Sequence, residues 1–290
     1  HQSEKHQNDG FVLKEGDDMK IGIIGSGRVG YSMGKYMQDH GIRVTGFYDR
    51  HRERALDAAQ FTGTDSFDRI EDLVAASDTL FLTTSDGEIA NVWDCIRHLS
   101  IQGKIICHFS GSLSSDQFQG IEKTRAYGLS IHPMLAFSDK YTSYKQLQNA
   151  FFTLEGHAQA LAVMEPLLQK MGNPVQRIAP EQKALYHAAA ATLSNQVVAL
   201  LARRASAAQV RGNVENVIAS GCVQALTGPI ERGDLVTVEK HLQVIPAQGK
   251  EMYMALAREQ IRLAKKKNPH RDYTDMECLL ADEKRRRQNN

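Results

Sequence analysis

Short apolar runs alternate with segments of helical periodicity along the first part of the chain. Lys20–Ile24, Arg43–Tyr48 and residues 79–84, 104–109, 129–133, 150–154 and 174–178 read as brief, mostly buried strands. Between them, the stretch from residue 28 to His40, then residues 51–60, 71–76, 86–99 and 157–171, reads as helices. This alternation predicts a parallel sheet with crossover helices.

The pattern changes at Pro180, where proline suits the first turn of a helix. Helix-forming residues then continue to Gln209, and residues 213–226, Leu235–Val244 and Ala247–Lys267 read as further helices. The expected fold class is therefore α/β: a doubly wound parallel sheet over residues 19–179, then an all-helical domain over 180–290. The C-terminus, from Lys265 through Arg287, is charged and reads as solvated.

Composition narrows the partners more than the fold. The 290 residues carry a net charge of +1, which gives no global basic field to attract nucleic acid. The four cysteines lie far apart, without C-x-x-C spacing, and suggest mostly buried thiols in a reducing compartment, with no disulfide framework or zinc site. No run of about 18 apolar residues occurs, so no membrane span is expected. Residues 1–18 are polar and lack the apolar stretch of a signal peptide; Met19 is the expected native start, and the segment before it a disordered tail or an expression remnant. The cytoplasm is the location these features favour.

The first strand runs into Gly25-Ser26-Gly27-Arg28-Val29-Gly30, a G-x-G-x-x-G turn opening a helix. Here Gly25 suits a tight turn, Gly27 a close approach to a pyrophosphate, and Gly30 tight packing of helix on sheet. The new helix N-terminus then favours phosphate. Asp49 ends the second strand roughly 20 residues later, where a ribose is expected. Arg50 follows it, and arginine is the natural partner of a 2′-phosphate, so NAD and NADP both remain open. Thr83, Thr84 and Ser85, ending the strand over 79–84, and Ser110, after the strand over 104–109, complete the candidate cofactor set of a Rossmann-like domain.

A second constellation lies on the helix that follows Pro180. Apolar residues surround it, as on a buried central helix. Lys183, His187 and Ser194 nevertheless share a sector about 40° wide, and Asn195 directly follows Ser194. A buried lysine needs a partner or a water-filled cleft, and burial brings it toward proton transfer near neutral pH. His108 and His132 sit at strand ends, where open α/β sheets bind ligands. Arg232, in the junction over residues 226–234, is a weaker candidate for clamping a carboxylate.

Ser130-Ile131-His132-Pro133-Met134, the run Lys183-Ala184-Leu185-Tyr186-His187, and Thr227-Gly228-Pro229-Ile230-Glu231-Arg232-Gly233-Asp234 resemble one family. Its members are NAD(P)-binding oxidoreductases that join a Rossmann-like domain to a helical domain of unknown function. More distantly, the chain is similar to pyrroline-5-carboxylate reductases, ketopantoate reductases and β-hydroxyacid dehydrogenases. In the last two groups a catalytic lysine is followed one turn later by asparagine. Lys183 matches the lysine, whereas His187 stands where the asparagine would be, and Asn195 comes two turns further on.

The resemblance implies hydride transfer between NAD or NADP and a C=O or C=N carbon of a small metabolite. Lys183, His187, Asn195 and His132 are the expected catalytic residues. It also implies a homodimer, with the helical domain closing over the nicotinamide. Reduction of a cyclic imine and non-catalytic sensing of NAD(P) are the alternatives.

Overall fold

The structure, a computed structural model, describes residues 19–192 and 207–288. They fall into two compact units, one within His1–Val197 and one within Val198–Asn290. The leader over residues 1–18, and Ser194 and Asn195, lie outside the described residues.

The first unit is built on an eight-stranded sheet. Its strands are β1 Lys20–Ile24, β2 Arg43–Tyr48, β3 Asp65–Ser66, β4 Thr79–Leu82, β5 Ile105–His108, β6 Tyr127–Pro133, β7 Phe152–Gly156 and β8 Val175–Arg177, in the order 3-2-1-4-5-6-7-8. The helices are α1 Arg28–Asp39, α2 Arg52–Thr62, α3 Ile70–Ala76, α4 Asp86–Ile96, α5 Ala158–Lys170 and α6 Lys183–Ala191. Central strands β4 and β5 are buried along their whole length, as unbroken apolar runs covered on both faces should be. On one face Met33, Ala55 and Leu168 of α1, α2 and α5 form a common core. On the other, Leu73, Ile89 and Trp93 of α3 and α4 pack with Phe118.

Every strand pair is parallel except β6–β7. The sequence predicts parallel pairing throughout. Residues 134–151 explain the reversal: they hold only a short 3-10 segment, Ser143–Asn149, and no crossover helix to carry the chain back across the sheet.

The second unit is helical: α7 Ala207–Ala225, α8 Pro229–Arg232, α9 Leu235–Val244, α10 Ala247–Lys267 and α11 Thr274–Gln288. Its core gathers Ile230, Val238, Leu242, Ile261, Tyr273, Met276 and Leu280. The junction over 226–234 organises it. The Glu231 carbonyl accepts from the Tyr273 hydroxyl at 2.6 Å and from Arg271 at 3.0 Å, and Asp234 caps α9 by accepting the Thr237 amide at 3.1 Å. The C-terminal charges hide an apolar stripe, because Met276 and Leu280 are each 1% exposed. Replacing Leu280 with alanine should therefore destabilise the helical unit by about 2–5 kcal/mol. Thermal unfolding followed by far-ultraviolet circular dichroism checks this; an unchanged midpoint would place α11 outside the cooperative fold.

Candidate active site

β1 ends in a turn that glycine alone fits at two points. Gly25 holds φ at 104°, a backbone that side chains resist. A Cβ on Gly30 would collide with the Gly25 carbonyl, so α1 closes on the strand only because that atom is missing. The Thr83 hydroxyl donates to the same carbonyl at 2.6 Å and fixes it. At Gly27, by contrast, a Cβ would meet only the Thr83 carbonyl, at 3.8 Å, and the residue is exposed. That stretch of backbone is open to a ligand. Nearby, the hydroxyls of Ser26 and Thr84 are buried without partners, and α1 begins without a side-chain cap. The turn thus offers an anion uncapped helical amides and two unused hydroxyls.

A cleft of about 430 Å³ opens beside this turn. Gly25, Ser26, Gly27, Asp49, Arg50, Thr83, Thr84 and Ser85 line it, with Ile70 and Val92 as its apolar wall. This lining suits an adenosine and a pyrophosphate. Asp49 accepts the Ser26 amide at 2.8 Å and the His51 amide at 2.9 Å, which braces the end of β2 against the glycine turn. Of the other expected cofactor residues, Arg28 is the exposed first residue of α1, Val29 packs on the core and Gly30 is buried, none of them in the cleft lining. Arg54 does line the cleft, and sequence reading passed over it. The available signal was its position four residues after Arg50, on the first turn of α2.

Ser110 is also outside the cleft, and its hydroxyl is occupied. It donates to Asp86 at 2.8 Å and accepts the Leu113 amide at 3.0 Å, tying the loop after β5 to the start of α4. His108 serves the same loop. Its Nε2 donates to the Ser114 carbonyl at 2.9 Å and its Nδ1 accepts the Ser110 amide at 3.3 Å, which fixes a neutral ring. Burial pushes His108 from its ordinary 6.5 down to about 4.

Around this loop the structure brings together Lys183, His187 and His132. Lys183 is 1% exposed; its ammonium donates to the Ser110 carbonyl at 2.9 Å and to the Ser130 hydroxyl at 2.6 Å. Burial lowers it to about 8, against the opposing pull of Glu155 and Asp86. His132, near the end of β6, faces His187 on α6 almost at right angles, with ring centroids 5.7 Å apart. Gly111 lies between them: a Cβ there would collide with His187 Nδ1 and His132 Nε2. The His187 Nδ1 is buried without a partner. The other nitrogen of His132 bonds the Tyr186 hydroxyl at 3.1 Å, and Tyr186 accepts from Thr153 at 2.6 Å. Burial, then the charges of Lys183 and His187, hold His132 down at about 4. Sequence reading missed Tyr186, although it lies three residues after Lys183 on the same side of the helix.

Two family models match the chain. Residues 19–98 match an oxidoreductase family with an NAD-binding Rossmann fold, and residues 150–260 match a domain of unknown function, DUF2520. Residues 19–98 thus carry the NAD-binding Rossmann domain of an oxidoreductase family. Solved structures share its fold. A Thermotoga maritima protein superposes with a TM-score of 0.66 at 21% identity, over 86% of this chain and 99% of its own. A provisionally assigned NADP oxidoreductase of Bacteroides fragilis gives 0.63 at 20%, over 88% and 99%. The 1-pyrroline-5-carboxylate reductase of Streptococcus pyogenes gives 0.59 at 16%, over 87% and 100%. No curated protein matches the sequence. Among the described residues no cluster of His, Cys, Asp or Glu is placed to hold a metal, and no helix is long and apolar enough to cross a membrane.

Neutral His108 and His132 make the protein acid-sensitive. Both have folded-state values below their unfolded 6.5, so between pH 6.5 and about 4 the unfolded chain binds more protons and stability falls as pH drops. For wholly buried His108 the full loss is about 3 kcal/mol. Melting temperature measured from pH 7 to pH 4 should decline through this window, and less steeply in a His132→Gln variant. A flat profile would mean that these rings are not buried neutral.

Proposed function

We propose that the enzyme transfers a hydride to or from a C=O or C=N carbon of a small metabolite, with the reacting atoms held at Gly111. The convergence of His132 and His187 on that glycine carries the reading, beside the ends of β5 and β6. NAD(P) in the cleft supplies or accepts the hydride. A C=O or C=N group that gains one also needs a proton, and the imidazoles at Gly111 are placed to exchange it. His132 and His187 are thus the catalytic candidates, with Tyr186 and Thr153 orienting His132. Lys183 acts through Ser110 and Ser130, keeping a positive charge behind the loop where negative charge would rise. Asn195 enters on its sequence position alone. Gly25, Ser26, Gly27, Asp49, Arg50, Thr83, Thr84 and Ser85 hold the cofactor, with Arg28 and Val29 offering first-turn amides.

A cyclic imine is the favoured substrate class within this reading, supported by the shared fold of the pyrroline-5-carboxylate reductase. The part of the chain from residue 180 to 290 serves substrate binding and dimerisation. A homodimer is supported by α7, where Val214 and Ile218 are 52% and 80% exposed. The four free thiols suit a cytoplasmic setting.

NAD(P)H oxidation with a panel of cyclic imines and ketones tests the chemistry. His187→Ala should lower kcat by about 10²–10⁴-fold while cofactor affinity stays unchanged. Since the Lys183 ammonium exists below about 8, reduction should slow above that pH, and Lys183→Met should remove this limb. Native turnover by a His132→Ala/His187→Ala double variant would sink the assignment. Light scattering tests assembly separately: the native chain should be dimeric and Ile218→Asp monomeric, and a native monomer would end that part of the reading.

A further inference from the structure

The adenosine side of the cleft carries a charge arrangement that selects between the two cofactors. Arg50, Arg52 and Arg54 lie on one short run entering α2. Arg52 is held at 2.6 Å by Asp68 and does not line the cleft. Arg50 and Arg54 do line it, and among the described residues neither pairs with a carboxylate. Two carboxylates share the lining, Asp49 and Glu88. Each is engaged elsewhere: Asp49 with the Ser26 and His51 amides, Glu88 with the Asn91 amide nitrogen at 3.5 Å. The cleft therefore presents two free guanidiniums beside an acid that backbone hydrogen bonds already occupy. The N-terminus of α2, eleven residues long, also lacks a side-chain cap.

A ribose hydroxyl has no use for two guanidiniums, whereas a phosphate monoester accepts their forked donors and matches their charge. We infer that the cofactor is NADP(H), with Arg50 and Arg54 gripping its 2′-phosphate and Asp49 serving as a brace for the glycine turn. Arg54 is thereby assigned a specificity role. The inference rests on the cofactor assignment and sharpens it.

Calorimetry with adenosine 2′,5′-bisphosphate and adenosine 5′-monophosphate tests it without any substrate, since the two differ by the 2′-phosphate alone. The bisphosphate should bind the native chain at least about tenfold more tightly, and NADPH should outbind NADH to a similar degree. In Arg50→Ala/Arg54→Ala, checked for native circular dichroism, both preferences should shrink to about twofold or less, because only the phosphate contact is removed. Arg52→Ala should keep them. Equal affinities in the native chain, or an undiminished preference in the double variant, would overturn the inference. If NADH and NADPH bind equally tightly, the cofactor assignment stands and only the inference fails. If neither binds, both fail together.

Discussion

A buried ammonium holds the centre of the first unit together. Lys183 opens α6, yet its nitrogen ends between the loop after β5 and strand β6, bonded to the Ser110 carbonyl and the Ser130 hydroxyl. An isolated charge at that depth would be strongly unfavourable, so its surroundings are constrained in turn. Glu155 on β7 and Asp86 at the start of α4 supply the compensating negative field. Both carboxylates are themselves held: Glu155 by the Ser115 amide at 2.8 Å and hydroxyl at 2.5 Å, Asp86 by Ser110 at 2.8 Å. One charge thereby links α4, β5, β6, β7 and α6. It also fixes the loop on which Gly111 sits.

From that loop the two halves of the site diverge in character. The nucleotide half is built from backbone and exposed charge: a turn without side chains, uncapped helical amides, and arginines at the rim. It recognises phosphate by geometry and field, and tolerates water. At the Gly111 half the polarity resides in the imidazole rings of His132 and His187, and burial keeps His132 neutral. Asp86 and Ser110 join them, because α4, which begins at Asp86, lines the nucleotide cleft with Glu88, Asn91 and Val92 while Asp86 accepts from Ser110.

Much of this was legible in the sequence, for reasons that differ by element. The glycine turn could be read because each glycine answers a local steric demand, which chain neighbours alone impose. Arg43–Tyr48 and Ala247–Lys267 were delimited by periodicity to the residue. The antiparallel β7 was not, since strand direction depends on what crosses the sheet and not on the strand itself. The C-terminal helix was obscured because Met276 and Leu280 sit among charges that dominate composition. Lys183 and His187 were singled out together and His132 apart from them, but the meeting of His132 and His187 at Gly111 is a tertiary fact. Tyr186 escaped notice because a tyrosine on an apolar helix reads as packing, and its bond to His132 on β6 is a tertiary contact. His108 shows the opposite error: a strand-end histidine with two satisfied nitrogens has no valence left for a ligand.

The peptide that joins Ser110 to Gly111 explains why the lysine need not reach a ligand to matter. Its carbonyl belongs to Ser110 and accepts from Lys183, while its N–H belongs to Gly111. Withdrawing electron density at one end of a peptide group strengthens the donor at the other, the more so in a low-dielectric interior. The ammonium thus polarises the peptide that leads into Gly111. The absence of a Cβ at Gly111 completes the arrangement, because any side chain would fill that space and displace both rings. His132 stays neutral partly because Lys183 is charged, so positive charge concentrates on the residue that is locked in place. A lysine with exposed reach would lose this effect, since solvent would screen its field and restore its ordinary basicity.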